Sequence, residues 1–416
     1  MTRTGSDPER TVPNATRGAG ERFMPSSEWV DANRGQAEVA TYTDLAVLHS
    51  PSLADQLASM SSIYDRFSWQ VARWERGYAH SMQWRVGRKR FVCSIPEGRV
   101  AGVDGAVITP DGVLLTDASI DFPTVVGGSH QYHSFADRVD RARPTRRLTG
   151  TSVVLALLGG NNYFHWMAQL LPRIFLMEEA GLEVANVDHF IVNGTSHPFQ
   201  RETLQRLGIT ADRTVTMEDG EIVQCALLVV PSLPPSTNFV SREDAEKLQA
   251  RLGFDRERLL PSTHIYVPRR RVSHRRVEND FAVENLLRHR GFVVVEPSEM
   301  SVAQQAAWFG SAEVIVSPHG AALTNVVFAH RGTTIIELFD PRFVNGCYAL
   351  LSCLRDMKYF FVFGQGSSQC VHQQHIDVAA LRAQPAAHAS DVPSWENFDI
   401  VADLSSLEET LNRVGV

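Results

Sequence analysis

Short apolar runs recur along the chain beyond residue 150, and segments with helical periodicity separate them. The runs show no polar and apolar alternation, which is typical of strands in a parallel sheet covered on both faces. Strand and helix alternate over about 210 residues, so the pattern predicts an α/β architecture. The runs are TSVVLALL, DHFIVN, CALLVV, HIYVPR, GFVVVEP, AEVIVS, TTIIELF and KYFFVFG.

The pattern differs between residues 88 and 150, where β-branched runs such as KRFVCSI and GAVITPDGVLLTDASI are broken by Gly, Asp and Pro. This composition predicts hairpins, with TPDG as a turn between two strands. A length of 416 residues suits two domains of ordinary size. We therefore predict a β-rich start followed by two α/β domains.

Prolines and polar residues interrupt the alternation in LLVVPSLPPSTNFVSRED, which indicates a domain boundary. We predict a mobile tail over residues 1–35, which hold few large apolar side chains. The N-terminal domain then covers 36–260 and the C-terminal domain 261–365. Residues 366–416 form a C-terminal segment that ends in a strand and a helix.

The segment NNYFHWMAQLLPRIF, residues 161–175, predicts a helix with two unlike sides. Its apolar residues lie on one side, and Pro172 predicts a kink because proline removes a helical hydrogen bond. The polar side holds Asn162, His165, Gln169 and Arg173. An alternative for the histidine in this line is an imidazole bonded inside a domain interface.

The segment AEVIVSPHGAALTNVVFAHRGTTIIELF, residues 312–339, predicts a compact strand, turn, helix and strand. Gly320 allows a ligand to approach the backbone, and the helix N-terminus near Ala321 suits an anion such as phosphate. His319 can donate a hydrogen bond to a phosphate oxygen. Glu337, near the end of the next strand, can accept bonds from two ribose hydroxyls. The alternative is an ordinary turn with a surface histidine.

The segment YVPRRRVSHRRVEND, residues 266–280, places five arginines and one histidine within eight residues after a strand. Guanidinium groups bind phosphate oxygens in bidentate fashion. We therefore predict that Arg269, Arg270 and Arg276 bind a diphosphate at the carboxyl edge of the sheet. The alternative is a solvated charged face.

The composition, 44% hydrophobic and 21% charged, is that of a soluble globular protein. A net charge of -7 and a pI near 6.1 argue against nucleic acid or an anionic membrane as a partner. The five cysteines include no C-x-x-C pair, and no signal peptide or run of about 18 apolar residues is visible. We expect a cytoplasmic protein without disulfides, structural zinc or a membrane span.

Several nucleotide and metal motifs are missing from the chain. There is no G-x-G-x-x-G after a strand, which argues against a nicotinamide or flavin enzyme, and no P-loop. No Asp-x-Asp pair offers itself to a divalent cation. A bound diphosphate would therefore be neutralised by arginines and helix amides.

Four segments occur in the order and spacing of one known family: NNYFHWMAQLLPRI, YVPRRRVSHRRVEND, SPHGAALTNVVFAHRGTTIIELF and GCYALLSCLRDMKYFFV. The sequence resembles glycosyltransferase family 61. That family includes capsular polysaccharide glycosyltransferase-like bacterial proteins, plant xylan-decorating enzymes and animal O-linked GlcNAc transferases. The resemblance spans residues 95–365, because EGRVAGVDGAVITPDGVLLTD is also similar to a segment of the bacterial members.

The resemblance implies a GT-B-like fold, in which two Rossmann-like domains face each other across a cleft. It implies an inverting, metal-independent hexosyl- or pentosyltransferase of surface polysaccharide or specialised metabolite biosynthesis, with no cofactor. The donor would be a nucleotide-diphosphate sugar, with a UDP-sugar as first choice, and the acceptor a glycan or small-molecule hydroxyl. The implied donor site also includes Thr324 and Asn325. The last helix would pack on the N-terminal domain, and a homodimer stays open.

Inversion requires a general base that takes the proton of the acceptor hydroxyl. His165 is the candidate, because imidazole titrates near neutrality. Many relatives carry Asp or Glu where this chain has Gln169, and an amide cannot accept a proton at neutral pH. The alternatives are Asp121 or Asp117 as the base, or a protein that has lost activity. The side chains expected to line the acceptor side of the cleft are Asn162, Gln169 and Arg173.

Two other functions remain as alternatives. The replacement by Gln169 leaves room for a non-catalytic protein that binds nucleotide sugars or glycans on the same scaffold. A dinucleotide-dependent oxidoreductase ranks last, because the glycine fingerprint is absent.

Overall fold

The computed structural model describes residues 23–33, 41–44, 90–121, 133–136, 143–234, 240–252, 263–340, 345–366 and 399–416. Much of the predicted tail, and residues 367–398 of the predicted C-terminal segment, lie outside them. Residues 23–33 are folded, so the prediction of a tail reaching residue 35 is wrong for this stretch. They form β1 and α1, and Trp29 and Val30 are buried in an apolar cluster because both side chains are large and apolar.

Ten strands of the described ranges form the first sheet. They are β1 (Phe23–Met24), β2 (Thr41–Asp44), β3 (Phe91–Pro96), β4 (Arg99–Ala101), β5 (Ala106–Ile108), β6 (Leu114–Leu115), β7 (Arg146–Val154), β8 (His189–Val192), β9 (Thr214–Thr216) and β10 (Ile222–Pro231). Hydrogen-bonded neighbours follow the order β1-β6-β5-β4-β10-β7-β8-β9, and β3 pairs with β10 and β2. β10, β7, β8 and β9 are parallel, whereas β3 and β4 run antiparallel to β10.

The first sheet therefore joins the predicted hairpins to a parallel α/β half. The TPDG turn is confirmed, because the N–H of Gly112 donates to the carbonyl of Thr109 at 3.0 Å between β5 and β6. The run TSVV ends β7, HFIV makes up β8, and ALLVV lies in the second half of β10, and most of these side chains are buried. These runs need no polar alternation because helices cover the sheet.

Within the part of the chain that the structure describes, the second sheet has five parallel strands in the order β12-β11-β13-β14-β15. They are β11 (Thr263–Tyr266), β12 (Phe292–Val294), β13 (Ala312–Pro318), β14 (Thr334–Phe339) and β15 (Lys358–Phe363). A two-stranded ribbon follows, made of β16 (Gln365–Gly366) and β17 (Ile400–Val401). The strand order reverses between β11 and β13, which makes this edge of the sheet a preferred ligand position.

Nine α-helices lie within the described ranges. They are α1 (Ser26–Ala32), α2 (Tyr163–His165), α3 (Pro172–Glu179), α4 (Pro198–Arg206), α5 (Arg242–Arg251), α6 (Asp280–His289), α7 (Val302–Ser311), α8 (Cys347–Leu354) and α9 (Leu404–Val414). A π-helix spans Trp166–Leu170, and 3-10 helices span Val184–Asn186, Ala211–Arg213, Pro297–Glu299 and Ala321–Phe328. Among these helices, none is long and apolar enough to cross a lipid bilayer.

The last helix, α9, packs on the second sheet, and the prediction that it packs on the N-terminal domain is wrong. Leu407 and Leu411 are fully buried in one cluster with Leu287 of α6 and Val316 of β13. The apolar side of α9 therefore meets the apolar surface nearest to the end of β17. An ion pair from Arg290 to Glu408 of α9, at 2.9 Å, adds a polar contact.

The two predicted domains share one apolar core. Buried residues of both sheets, such as Val153 and Ile315, belong to the same cluster. The carboxylate of Glu202 on α4 accepts hydrogen bonds from the N–H groups of Val302 and Ala303, at 2.8 and 3.0 Å, and so caps α7 across this boundary. The halves are thus joined by packing and by polar contacts.

Candidate functional site

The predicted anion turn lies where the strand order of the second sheet reverses. β13 ends at Pro318 and continues into His319 and Gly320, while the neighbouring β11 continues into the arginine segment 267–276. Both chain segments leave the sheet at its carboxyl edge because β11 and β13 are parallel. The structure therefore brings together two motifs that lie about 50 residues apart in the sequence.

Gly320 is in contact with the guanidinium group of Arg269. A Cβ atom at residue 320 would lie 2.3 Å from Nη1 of Arg269, so a larger residue would displace this arginine. The backbone of Gly320 is extended, with φ 176°, so the glycine is needed for this close approach and not for an unusual backbone conformation. The short helix predicted after it is the 3-10 helix that begins at Ala321.

His319, Glu337 and Tyr359 form a buried hydrogen-bonded chain. Nδ1 of His319 lies 2.5 Å from Oε1 of Glu337, and the hydroxyl of Tyr359 donates to Oε2 at 2.6 Å. Glu337 is fully buried, and His319 is 6% exposed. Both carboxyl oxygens of Glu337 are thus engaged inside the protein, away from any ribose that the sequence led us to expect.

Burial decides the charge of this pair. Burial raises the pKa of Glu337 well above its usual range, against the bond from Tyr359 and the charge of Arg275. Burial also lowers the pKa of His319 well below its usual range, and the positive charges of Arg275 and Arg269 lower it further. If Glu337 is the protonated partner, it donates to Nδ1, and the neutral imidazole then carries its own proton on Nε2.

Two arginines of the segment 267–276 act on His319. Arg269 is partly buried, and burial together with the charge of Arg275 lowers its pKa to about 10. Nε of Arg269 donates to the carbonyl of His274 at 3.2 Å, which helps to hold the side chain. Arg275 has a left-handed backbone conformation, with φ 56°. The positive charges of Arg269 and Arg275 both act on the buried His319, so an anion bound beside this histidine would be stabilised by both arginines.

The other two predicted arginines pair with carboxylates. Arg270 bonds to Asp280 at 2.6 Å, to Glu296 at 2.9 Å and also to Glu284. Arg276 bonds to Asp399 at 2.7 Å. These ion pairs fix the ends of the arginine segment on α6 and on the chain before β17. They do not test the prediction that Arg270 and Arg276 bind the donor, and of the three predicted arginines we retain only Arg269 in the proposed donor site.

Thr324 and Asn325 lie inside the protein, and neither side chain is exposed. Oγ1 of Thr324 lies 3.3 Å from the hydroxyl of Tyr348. Asn325 donates to Oε1 of Gln305 at 2.7 Å and accepts from the hydroxyl of Tyr163 at 2.7 Å. Both residues belong to the 3-10 helix and bond it to neighbouring elements inside the protein. Asn325 joins it to α2.

The predicted helix over 161–175 is interrupted. Asn162 caps α2 by accepting from the N–H of Phe164 at 2.9 Å, and a π-helix follows before Pro172 begins α3. Proline at the first position of α3 lacks the N–H that an unbroken helix would need. The predicted kink is thus realised as a π turn beside His165, as is common near functional sites.

The polar residues of this segment do not share one surface. Asn162 is exposed, whereas Gln169 and Arg173 are each 2% exposed. The guanidinium of Arg173 donates to the carbonyls of Ala156 at 2.8 Å and Pro231 at 2.7 Å, and burial lowers its pKa to about 9. Gln169 and Arg173 border a cavity of about 30 Å³, which has room for one or two water molecules. Through its two carbonyl partners, Arg173 joins the chain after β7 to the end of β10.

His165 is partly buried, and Nδ1 lies 2.7 Å from Oε1 of Gln169. Burial lowers the pKa of His165, and the bond to Gln169 opposes this change. The ring lies against Gly159, where a Cβ atom would be 3.0 Å from Cδ2. His165 ends α2, the helix that follows β7, and it therefore lies at the carboxyl edge of the first sheet.

The alternative carboxylates occupy different environments. Asp117 accepts from the N–H and the hydroxyl of Ser26, at 3.0 and 2.6 Å, and so caps α1. Asp121 is buried, accepts from the N–H of Ser134 at 2.7 Å, and lies 3.6 Å from His133. Burial and Asp121 raise the pKa of Asp104 to about 6, although a hydrogen bond from the backbone of Gly159 opposes the rise.

Across the described part of the chain, no group of three or more His, Cys, Asp or Glu side chains is arranged to hold a metal ion. The charged groups near His319 are arginines, which cannot act as metal ligands.

Residues 163–336 match the family described as Glycosyltransferase 61. The chain carries a glycosyltransferase family 61 domain. This match supports a glycosyltransferase, an enzyme class that uses a sugar donor and an acceptor. The matched region begins at Tyr163, includes His165 and the arginine segment, and ends one residue before Glu337. A search of curated proteins finds no match.

Sequence reasoning did not single out Arg275, Tyr348, Tyr359 or Asp104. Arg275 belonged to the recognised arginine run, but sequence alone could not separate it from its neighbours. Tyr359 and Glu337 occupy adjacent strands two register positions apart, since Glu337 pairs with Phe361. That neighbourhood follows only from the pairing of β14 with β15.

Proposed function

We propose that this glycosyltransferase is inverting and metal-independent, and that it moves a sugar from a UDP-sugar to a hydroxyl of a glycan or small molecule. One observation carries the proposal: the guanidinium of Arg269 lies on Gly320 beside His319, at the carboxyl edge of the second sheet. Guanidinium, imidazole N–H and backbone N–H groups together suit a diphosphate. The family match supports a sugar donor in general.

The proposed leaving-group site uses His319 as a hydrogen-bond donor. With Glu337 protonated, Nε2 of His319 carries a proton that can be donated to a phosphate oxygen. Arg269 and Arg275 then stabilise the negative charge that grows on the phosphate as the sugar departs. In this proposal Glu337 orients His319, and its predicted contact with the ribose is given up.

The proposed displacement takes place in one step. The acceptor oxygen attacks the anomeric carbon from the face opposite the phosphate, so the configuration inverts. The bond between the anomeric carbon and the phosphate oxygen breaks, and its electron pair leaves with UDP. The acceptor proton goes to His165, the proposed general base, in a two-lobed GT-B-like arrangement with the donor between the halves.

The experiment compares donor binding with transfer in two variants. A thermal shift panel of UDP, GDP, CMP and NAD should show the largest stabilisation with UDP. His319→Ala should weaken UDP binding, whereas His165→Ala should keep UDP affinity and lose transfer and the slow release of UDP from UDP-sugars. Stabilisation by NAD alone, or full transfer by His165→Ala, would contradict the proposal.

A second candidate function is a non-catalytic nucleotide-sugar binding protein. It is favoured by one observation, the amide of Gln169 bonded to His165 where many relatives carry a carboxylate. UDP binding with neither donor hydrolysis nor transfer to any tested glycan would support it.

A further inference from the structure

Gln169 is the hydrogen-bonding partner of His165. Oε1 of Gln169 lies 2.7 Å from Nδ1 of His165, one π turn earlier in the chain. An amide oxygen only accepts hydrogen bonds, so Nδ1 must donate and therefore carries the ring proton. Gln169 is 2% exposed, so its amide lies inside the protein beside His165. The other ring nitrogen, Nε2, is left with a lone pair.

The Nε2 edge of His165 lies against Gly159, which carries no side chain. No described residue forms a hydrogen bond with Nε2. A Cβ atom at Gly159 would lie 3.0 Å from Cδ2 and 3.4 Å from Nε2, so a larger residue would crowd this edge. Gly159 has φ 73°, a left-handed conformation that favours glycine. A glycine at residue 159 therefore avoids crowding the nitrogen that holds the lone pair.

The charges around His165 do not offer a carboxylate partner for Nδ1. Burial lowers the pKa of His165, and only the bond to Gln169 opposes this. Asp104, on the turn between β4 and β5, accepts a hydrogen bond from the backbone of Gly159, and Asp121 is close enough to raise its pKa. Arg173, on α3, is bonded to main-chain carbonyls. Tyr163, on α2, is bonded to Asn325 of the 3-10 helix.

We propose that Gln169 is a positioning residue that holds His165 in the Nδ1–H tautomer, so that Nε2 takes the proton of the acceptor hydroxyl. The inference rests on the proposed function, since it assigns the proton of that reaction. The O–H bond of the acceptor breaks, an N–H bond forms at Nε2, and the oxygen electron pair joins the anomeric carbon. The neutral amide takes the place of a carboxylate as the partner of Nδ1.

The first test measures the tautomer in the free, full-length protein by NMR of ¹⁵N-labelled histidine, with His165→Gln used to assign the signal. We expect the Nδ1–H tautomer and a pKa below 6.5. Gln169→Glu should raise this pKa by about 1–3 units, because a carboxylate stabilises the imidazolium. Gln169→Leu should shift the population toward the Nε2–H tautomer. An Nε2–H tautomer in the unaltered protein would overturn the inference. An Nδ1–H population that is unchanged in Gln169→Leu would also overturn it.

The second test measures the pH dependence of kcat/KM. Gln169→Glu should retain transfer and move the acid limb to higher pH, while Gln169→Leu should lose about 10²–10⁴-fold in kcat with unchanged UDP affinity. Asp104→Asn is the matched control and should leave the acid limb in place. A limb that moves in Asp104→Asn and stays in Gln169→Glu would overturn the inference. The NMR test needs no turnover, so failure of the proposed function and failure of this inference are distinguishable.

Discussion

Two adjacent arginines offer the sharpest test of the proposed donor site, because they have similar chemistry and different surroundings. Arg269 lies on Gly320 and acts on His319, whereas Arg270 is bonded to Asp280, Glu284 and Glu296. We consider Arg269→Met and Arg270→Met, since methionine keeps much of the apolar stem and removes the charge.

We expect Arg269→Met to lose UDP affinity and Arg270→Met to lose stability. A charge-assisted hydrogen bond to a phosphate contributes about 1.5–3 kcal/mol, so Arg269→Met should weaken UDP binding by about 10–150-fold. The side chain of Arg270 is 34% exposed, and exposed ion pairs contribute about 0.2–1 kcal/mol each. Arg270→Met should therefore lower the free energy of unfolding by about 1–2 kcal/mol, in part because three carboxylates then face one another.

Isothermal titration calorimetry with UDP, at one pH and one salt concentration, measures the first effect. Thermal unfolding without ligand measures the second. We expect Arg269→Met to lose affinity with a nearly unchanged melting temperature, and Arg270→Met to melt a few degrees lower while keeping UDP affinity within about twofold. Unchanged affinity in Arg269→Met, or equal losses in both variants, would refute the assignment of the donor site.

Three further outcomes concern stability. Arg173→Met should lower the free energy of unfolding by about 2–4 kcal/mol in urea titrations, because two main-chain carbonyls lose their donor; a stable variant with weakened UDP binding would show that this arginine binds ligand instead. Tyr163→Phe should cost about 1–3 kcal/mol in the same measurement, because Asn325 is left with a buried, unsatisfied acceptor. Asp104 has its folded pKa raised to about 6, so its stabilising contribution is full below the unfolded value and is lost as the pH rises through 6. Asp104→Asn should consequently change the slope of stability against pH between 4 and 7, and an identical slope in both proteins would contradict the raised pKa.

Local patterns predicted the elements that carry the site. The run AEVIVSP is β13, TTIIELF contains β14, and the turn between β5 and β6 follows from TPDG. These features depend on residues close in sequence, such as buried β-branched runs and turn residues. The position of His319 and Gly320 after β13 follows from the same local signal.

Contacts between distant residues decided the rest. Of the run RRRVSHRR, Arg276 is paired with Asp399, 123 residues away, and Arg270 with carboxylates on and beyond α6. A charge run in a sequence carries no information about which members find such partners. The same holds for α9, whose apolar side could cover either sheet until the path of β17 is known.

The sequence by itself determined the strands, the turn after β13 and the resemblance to the family, because each depends on residue types at short, fixed spacing. Only the tertiary structure decided which side chains of those motifs face one another. It buried Glu337 between His319 and Tyr359, and it placed Gln169 against Nδ1 of His165 across a π turn. Burial removes water from these groups, and the partner that replaces water then sets both their protonation and their chemistry.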